Sequence, residues 1–239
     1  MRRIVLAATA LLMIAAPAFS ADLSLRPSVA PPSLLWTGFY AGVNAGGAIG
    51  NAGSDFSVAG TPFASVNNSL TGAVAGGQVG YNWQSGPLVY GLETDIQFSS
   101  ASGTLSAPCA AGLCGLALTA NYSQEVSWFG TVRGRVGYAS GGWLLYATGG
   151  YAYGQLKTDA NASAAGASAT FSATDFIDGW TAGAGIEVLL APRWSLKGEY
   201  LYADLGRANH TFVFTGVPAL NDSAHVTLNI VRAGVNFRF

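Results

Sequence analysis

The sequence predicts an all-β fold: an eight-stranded antiparallel up-and-down transmembrane β-barrel. Three observations predict it. An apolar–polar alternation of period two recurs about eight times along the chain. The chain opens on a secretory leader. Its last segment, Val226 to Phe239, alternates to the final residue: Val231, Ala233, Val235, Phe237 and Phe239 are apolar, and Arg232, Gly234, Asn236 and Arg238 between them are polar or bare. An aromatic C-terminus on an alternating strand, in an exported protein, points to the bacterial outer membrane.

The leader sets the compartment. Arg2 and Arg3 form a charged start, and Ile4 to Ala16 is an apolar run too short to cross a bilayer as a helix. Ala18-Phe19-Ser20 puts small residues before a cleavage point, so residues 1–20 read as a signal peptide. Residues 21–35 hold three of the nine prolines and read as a flexible periplasmic N-terminal arm. The barrel is expected over residues 36–239.

Composition narrows the class. Of 239 residues, 50% are hydrophobic and 10% charged, against about 25% charged in a soluble domain. Beyond the leader, no run approaches the ~18 apolar residues of a membrane-spanning helix. The apolarity is therefore spread by alternation. Eleven Lys and Arg against twelve Asp and Glu give a formal net charge of −1. With Arg2 and Arg3 in the leader, the remainder is mildly acidic, which argues against a nucleic-acid partner.

Strand one is expected over about Trp36 to Gly47, with Phe39, Ala41, Val43 and Ala45 opposing Tyr40, Gly42 and Asn44. Strand two runs from Leu70 to Gln84 and sets Ala73, Ala75, Val79, Tyr81 and Trp83 against Gln78, Gly80 and Asn82. Strand three, Leu88 to Ser99, is the clearest: Leu88, Tyr90, Leu92, Thr94, Ile96 and Phe98 oppose Val89, Gly91, Glu93, Asp95, Gln97 and Ser99. Strand four, Tyr122 to Tyr138, sets Val126, Trp128, Val132, Val136 and Tyr138 against Glu125, Ser127, Thr131, Arg133 and Arg135. Strand five, Trp143 to Lys157, is apolar on both faces, so its lipid side is not readable. Strand six, Ile177 to Leu190, opposes Trp180, Ala182, Ala184, Ile186 and Val188 to Thr181, Gly183, Gly185 and Glu187. Strand seven, Trp194 to Asp204, opposes Leu196, Tyr200 and Tyr202 to Ser195, Lys197 and Glu199. Strand eight ends the chain.

The connections alternate in length. Short turns are expected at 85–87, 140–142 and 191–193, and long polar loops at about 48–69, 100–121, 158–176 and 205–224. Short periplasmic turns and long extracellular loops are the asymmetry of outer-membrane barrels. Both chain ends then fall on the short-turn side. Trp36, Phe39, Tyr40, Trp83, Trp143, Trp194, Phe237 and Phe239 gather there and suit an aromatic girdle.

If the apolar face meets lipid, the lumen receives Glu93, Asp95, Glu125, Arg133, Arg135, Glu187, Lys197, Glu199, Arg232 and Arg238. Both signs are present. An eight-stranded interior is just wide enough for side chains to fill, and buried charges must be paired to be tolerated. A lumen-filling charge network is expected, with a gated path for small solutes as the alternative.

Few residues carry candidate chemistry. Cys109 and Cys114 lie in the second long loop, and in an exported protein such a close pair reads as a local disulfide. A metal site there lacks further ligands. His210 and His225 read as solvated loop residues. Asp222 and Ser223 adjoin His225, but chain neighbours on one strand point to opposite faces, and no strained nucleophile motif is present. Glycine-rich stretches such as Gly38 to Gly42 precede no helix and so offer no phosphate site. No catalytic, cofactor or metal residue is assigned.

Several segments carry a family resemblance. They are Trp36-Thr37-Gly38-Phe39-Tyr40-Ala41-Gly42-Val43-Asn44-Ala45-Gly46-Gly47, Gly80 to Trp83, Gly91 to Glu93, Leu145 to Gly150, Lys197 to Gly206, and Arg232 to Phe239. Together they resemble the small outer-membrane β-barrel proteins of the porin-like, opacity-type surface-antigen family, in its alphaproteobacterial form. The resemblance covers essentially all of the mature chain. It implies a surface barrel of eight strands, fold-related to the OmpA membrane domain and without a known catalytic site. The cysteine pair departs from that pattern. The expected function is a structural barrel supporting envelope integrity, with a small diffusion porin, or a surface receptor for haem or a host molecule, as alternatives. The expected partners are outer-membrane lipids and lipopolysaccharide, and the barrel assembly machinery acting on the C-terminal strand with Phe239 as its signal. The oligomeric state is not readable.

Overall fold

The computed structural model describes residues 36–58, 61–109, 118–164, 167–212 and 220–239. The expected leader, arm and Cys114 lie outside them. Cys109 closes a strand, but the pairing expected of it rests on residues outside the described set.

Eight strands follow in chain order: β1 (Gly38–Val58), β2 (Thr61–Ser85), β3 (Leu88–Cys109), β4 (Leu118–Ser140), β5 (Trp143–Ala164), β6 (Ala167–Ala191), β7 (Trp194–Phe212) and β8 (Leu220–Arg238). Each pairs antiparallel with its chain neighbours, and β8 pairs with β1 to close the barrel. Closure leaves no edge strand, and the ladders satisfy the backbone, as a wall in hydrocarbon must. The expected fold class stands.

Three of the hairpins turn in two residues: Gly86-Pro87, Gly141-Gly142 and Pro192-Arg193. Gly86 and Gly141 hold φ of 59° and 58°. That region costs glycine least and suits the first central position of a tight hairpin turn.

The long connections differ from expectation. Most of residues 48–69, 100–121, 158–176 and 205–224 are strand. Pairs such as Ala48↔Gly72 and Ser54↔Val66 continue the ladder far beyond the alternating cores. The strands are 19–25 residues long, where about 9–11 suffice to cross a membrane. Small and polar side chains leave a weak alternation signal, yet a ladder needs only a paired neighbour, which the closed barrel supplies.

The outer face marks the membrane. Phe39, Val43, Leu92, Phe98, Val136, Leu145 and Val231 are among many large apolar residues turned fully outward. Near the short turns, Phe39–Tyr81–Trp83–Tyr90 and Trp194–Phe237–Phe239 form two runs of ring contacts. A second belt sits higher, where Tyr153 touches Trp128, Tyr151 and Phe176, and Trp180 touches Tyr202. On β5 the belts are marked by Trp143 and Tyr153. Ten residues at ~3.3 Å each, tilted ~40°, separate them by roughly 25 Å, the height of a transmembrane apolar band. Above the upper belt the outward residues turn polar, as at Asn51, Ser102, Thr104 and Lys157.

Two residues expected in the lower girdle point inward instead. Tyr40 is buried in the lumen, because it shares its phase with Asn44, and Trp36 precedes the strand and tucks beneath the barrel. The remaining six turn-side aromatics stay on the outer wall or at its rim.

The phase of β4 changes once. Below Ser127 the odd residues Phe129, Thr131, Arg133 and Arg135 face in; above it Gln124 and Val126 do. Ser127 has no partner on β5, where Val126↔Leu156 is followed by Trp128↔Gln155. One extra residue moves every side chain above it to the opposite face. Glu125, expected in the lumen, therefore faces outward opposite Lys157, and Val126, expected at the lipid, is fully buried. On β5 the even residues Leu144, Tyr146, Thr148, Ala152 and Leu156 face in, which settles its lipid side.

Candidate functional site

Among the described residues, charged and polar side chains converge in the lumen, which is built in layers. At the level of the lower half-band, four carboxylates face four cations. Glu93 and Asp95 come from β3, Arg133 and Arg135 from β4, Glu187 from β6, Lys197 and Glu199 from β7, and Arg232 from β8. All eight are buried, and their formal charges cancel. Charges removed from water need such partners.

The ties run across the barrel. Arg133 bonds Glu93 on the neighbouring strand, reaches Asp95 Oδ2 at 2.9 Å, and meets Glu199 Oε1 of β7 at 3.1 Å. Arg232 Nη2 donates to Asp95 Oδ2 at 2.8 Å and to Glu199 Oε2 at 2.6 Å, linking β8 to β3. Lys197 Nζ donates to both Glu93 oxygens, at 3.0 and 3.1 Å. Arg135 Nη2 donates to Glu187 Oε2 at 2.8 Å, and Ser195 and Asn236 donate to Glu187 Oε1 at 2.6 and 2.9 Å.

Two tyrosines complete this layer, and the sequence reading missed both roles. Tyr40 Oη donates to Glu93 at 2.7 Å and accepts from Arg135 at 3.0 Å. Tyr146 Oη donates to Glu199 at 2.9 Å, and the Arg135 guanidinium lies 4.0 Å from its ring centre. For Tyr40 the shared phase with Gly42 and Asn44 was the available signal; for Tyr146, on a strand apolar on both faces, there was none. Of the ten expected network residues, Glu125 lies outside. Arg238 sits below the layer, 5.2 Å from the Trp36 ring centre. The other eight meet.

Above the ionic layer the lumen becomes apolar. Leu70, Val74, Val126, Phe129, Leu156, Ile177, Leu201, Leu205, Val226, Leu228 and Ile230 form one buried cluster with alanines from β1, β3, β5, β7 and β8. Higher still lies a neutral polar layer, where Ser54 bonds Tyr122 and accepts from Gln124. The sequence reading missed the apolar plug: a third of it, including Ala48, Ala101 and Leu205, lies in segments read as loops, and the rest reads like lipid-facing strand residues.

Glycines make room for these layers. A Cβ at Gly46 would collide with the Val231 carbonyl and the Arg232 backbone, and one at Gly76 with the Ile96 carbonyl and the Gln97 side chain. The bare positions on β1 and β2 thus leave room for Arg232 and Gln97 of the adjoining strands to turn into the interior.

The remaining candidates stand apart. His225 is on β8, not in a loop, and its Nε2 lies 2.9 Å from Asp204 Oδ1 on the outer wall. His210 ends near the top of β7, opposite Asp222. Among the described residues no group of three or more His, Cys, Asp or Glu could hold a metal ion. Phe239 is exposed and donates its backbone N–H to Phe39 O at 3.1 Å.

A closed eight-stranded barrel with an apolar outer band between two aromatic belts defines a transmembrane β-barrel protein of the bacterial outer membrane. The family model for the outer membrane protein β-barrel domain matches residues 6–239, and the chain belongs to that family. It is 40% identical over 256 residues to the 31 kDa outer-membrane immunogenic protein of Brucella melitensis, covering 100% of both chains. It is 33% identical over 175 residues to the 22 kDa outer membrane protein of Rhizobium leguminosarum bv. viciae, covering 72% of this chain and 66% of that one. Among solved structures, OprG of Pseudomonas aeruginosa has a TM-score of 0.56 at 13% identity, with 86% of this chain and 99% of that chain covered. The protease OmpT of Escherichia coli has a TM-score of 0.57 at 11% identity, with 91% and 99% covered. At such identities the likeness is one of fold alone.

Proposed function

We propose that this protein is a closed structural barrel of the outer membrane that contributes to envelope integrity and passes at most water and small ions. The observation that supports the reading is the double filling of the lumen. A neutral ionic layer is tied from β3 to β7 and β8, and a continuous apolar cluster lies above it. A hydrated solute would have to break cross-lumen pairs and then dewet among Leu, Ile and Phe side chains.

The outer wall serves the same role. Its band contacts lipid and, at the upper belt, lipopolysaccharide, while the strand extensions stand beyond the membrane. The assembly machinery reads the C-terminal strand with Phe239 as its last signal. The reading contains no catalytic step, in keeping with whole-length relatives named as outer-membrane immunogenic proteins.

Swelling of liposomes in monosaccharide tests it, with single-channel recording on the same refolded protein. Slow swelling and rare small conductance steps are expected. Swelling as fast as that of a wide porin would overturn the closed-barrel reading.

A further inference from the structure

We propose that Trp36 is a periplasmic stopper, a side-chain seal beneath the ionic layer that is separate from the apolar plug above it. This rests on the closed-barrel reading and deepens it. The ionic layer becomes a compartment between two seals, reached by water-borne solutes from below only when Trp36 leaves.

The position carries the argument. Trp36 precedes β1, yet it is 0% exposed and packs in a buried cluster with Val89, Leu144 and Tyr146. Ala139 and Leu189 flank that cluster, so it sits at the level of the short turns. The cluster is small and separate from the large apolar plug. Tyr146 joins it to the ionic layer through its bond to Glu199.

The way Trp36 is held separates backbone from side chain. Its N–H donates to Gln84 Oε1, and Thr37 Oγ1 accepts from Gln84 N at 2.9 Å, so the chain is clamped to the end of β2. Gly38 then turns the chain into the wall with a φ of 137°, which favours glycine. The ring is held otherwise. Its indole N–H has no hydrogen-bond partner among the described residues, and Arg238 lies over its face. Packing is a non-directional hold, and the cation–π contact acts on the ring face alone, so neither fixes the indole N–H. A buried N–H without an acceptor makes the inserted rotamer less favourable than its burial alone implies. A ring pinned at its backbone and held only by packing can swing out without unfolding a strand.

Thiol accessibility tests this. In full-length protein with Cys109 and Cys114 replaced by serine, Ser195→Cys places a reporter in the ionic layer and Thr158→Cys one above the plug. Both are treated with a small charged methanethiosulfonate on barrels shown to be folded by heat-modifiable migration. Adding Trp36→Ala should speed labelling at position 195 by about tenfold or more, as an opening barrier is removed, and leave position 158 unchanged. Trp36→Phe should keep labelling slow. Equally fast labelling with Trp36 present, or equally slow labelling once Trp36→Ala is added, would overturn the stopper. Swelling of liposomes with wild-type protein separately tests the closed barrel, since the apolar plug remains in every variant. Thus a fast-swelling wild type sinks that reading, while a failed labelling contrast sinks only this one.

Discussion

Arg133 of β4 and Glu199 of β7 meet across the lumen, Nη1 to Oε1 at 3.1 Å, with both side chains fully buried. Neither could stand there alone. The pair spans the barrel instead of stapling neighbouring strands, so it fixes the distance between opposite walls. Arg232 and Lys197 repeat the same geometry toward β3.

Removing one member of such a set strands the other charges. Arg133→Ala should destabilise the barrel by about 3–5 kcal/mol, the usual cost of breaking a buried pair. Asp159→Ala removes only a half-exposed partner of Lys157, 3.5 Å apart, and should cost less than about 1 kcal/mol. Urea unfolding of both variants in lipid vesicles checks this. Equal small effects would mean a water-filled lumen and would favour a diffusion porin.

Gln97 should behave in the opposite way. It is fully buried at the edge of the ionic layer, facing Phe129, and neither end of its amide finds a partner among the described residues. An unpaired buried polar group costs about 1–3 kcal/mol. Gln97→Leu keeps the bulk and removes the amide, so the unfolding midpoint should rise. A falling midpoint would show that the amide is solvated in the lumen.

The outer wall was legible because lipid imposes one rule on every strand. Leu88 to Phe98 alternates without a break, and its register can be read by eye. The lumen was legible only where the inward residues are charged. Leu70 and Leu205 fill it as fully as Arg133 does, but apolar residues facing inward are indistinguishable from those facing lipid. On β8, Leu228 and Ile230 face in and Val231 faces out, so both faces read alike. The extra residue at Ser127 left no mark either, since serine fits both faces. Tyr40 read as a girdle residue although its phase with Asn44 marked it inward, and Trp36, ahead of the alternation, carried no label for in or out.

The phase change at Ser127 gives a contrast between chain neighbours. Val126→Asp would put a carboxylate inside the apolar plug, whose members among the described residues include no cation. It should cost about 3 kcal/mol or more, or block folding. Glu125→Ala lies on the outer wall and should stay within about 1 kcal/mol. Refolding yield into vesicles and the urea midpoint report both. An unbulged β4 would give the reverse order.

The final residue separates assembly from stability. Phe239 is 77% exposed, its ring meets only Phe237 among described aromatic contacts at 5.3 Å, and its N–H bonds Phe39 O at 3.1 Å. Deleting it removes one ladder bond at the seam of β1 and β8, worth about 0.5–1.5 kcal/mol, while the ionic layer and the plug stay complete. Purified protein lacking Phe239 should therefore refold in vesicles with nearly the wild-type midpoint. In cells the same deletion should reduce the amount of heat-modifiable barrel in the outer membrane, because the strand presented for insertion would end on Arg238. That pairing of a small loss in the vesicle with a large loss in the cell is what an assembly signal requires. Equal losses in both would make Phe239 an ordinary structural residue, and unchanged cellular levels would leave the recognition to Phe237 and the alternating residues before it.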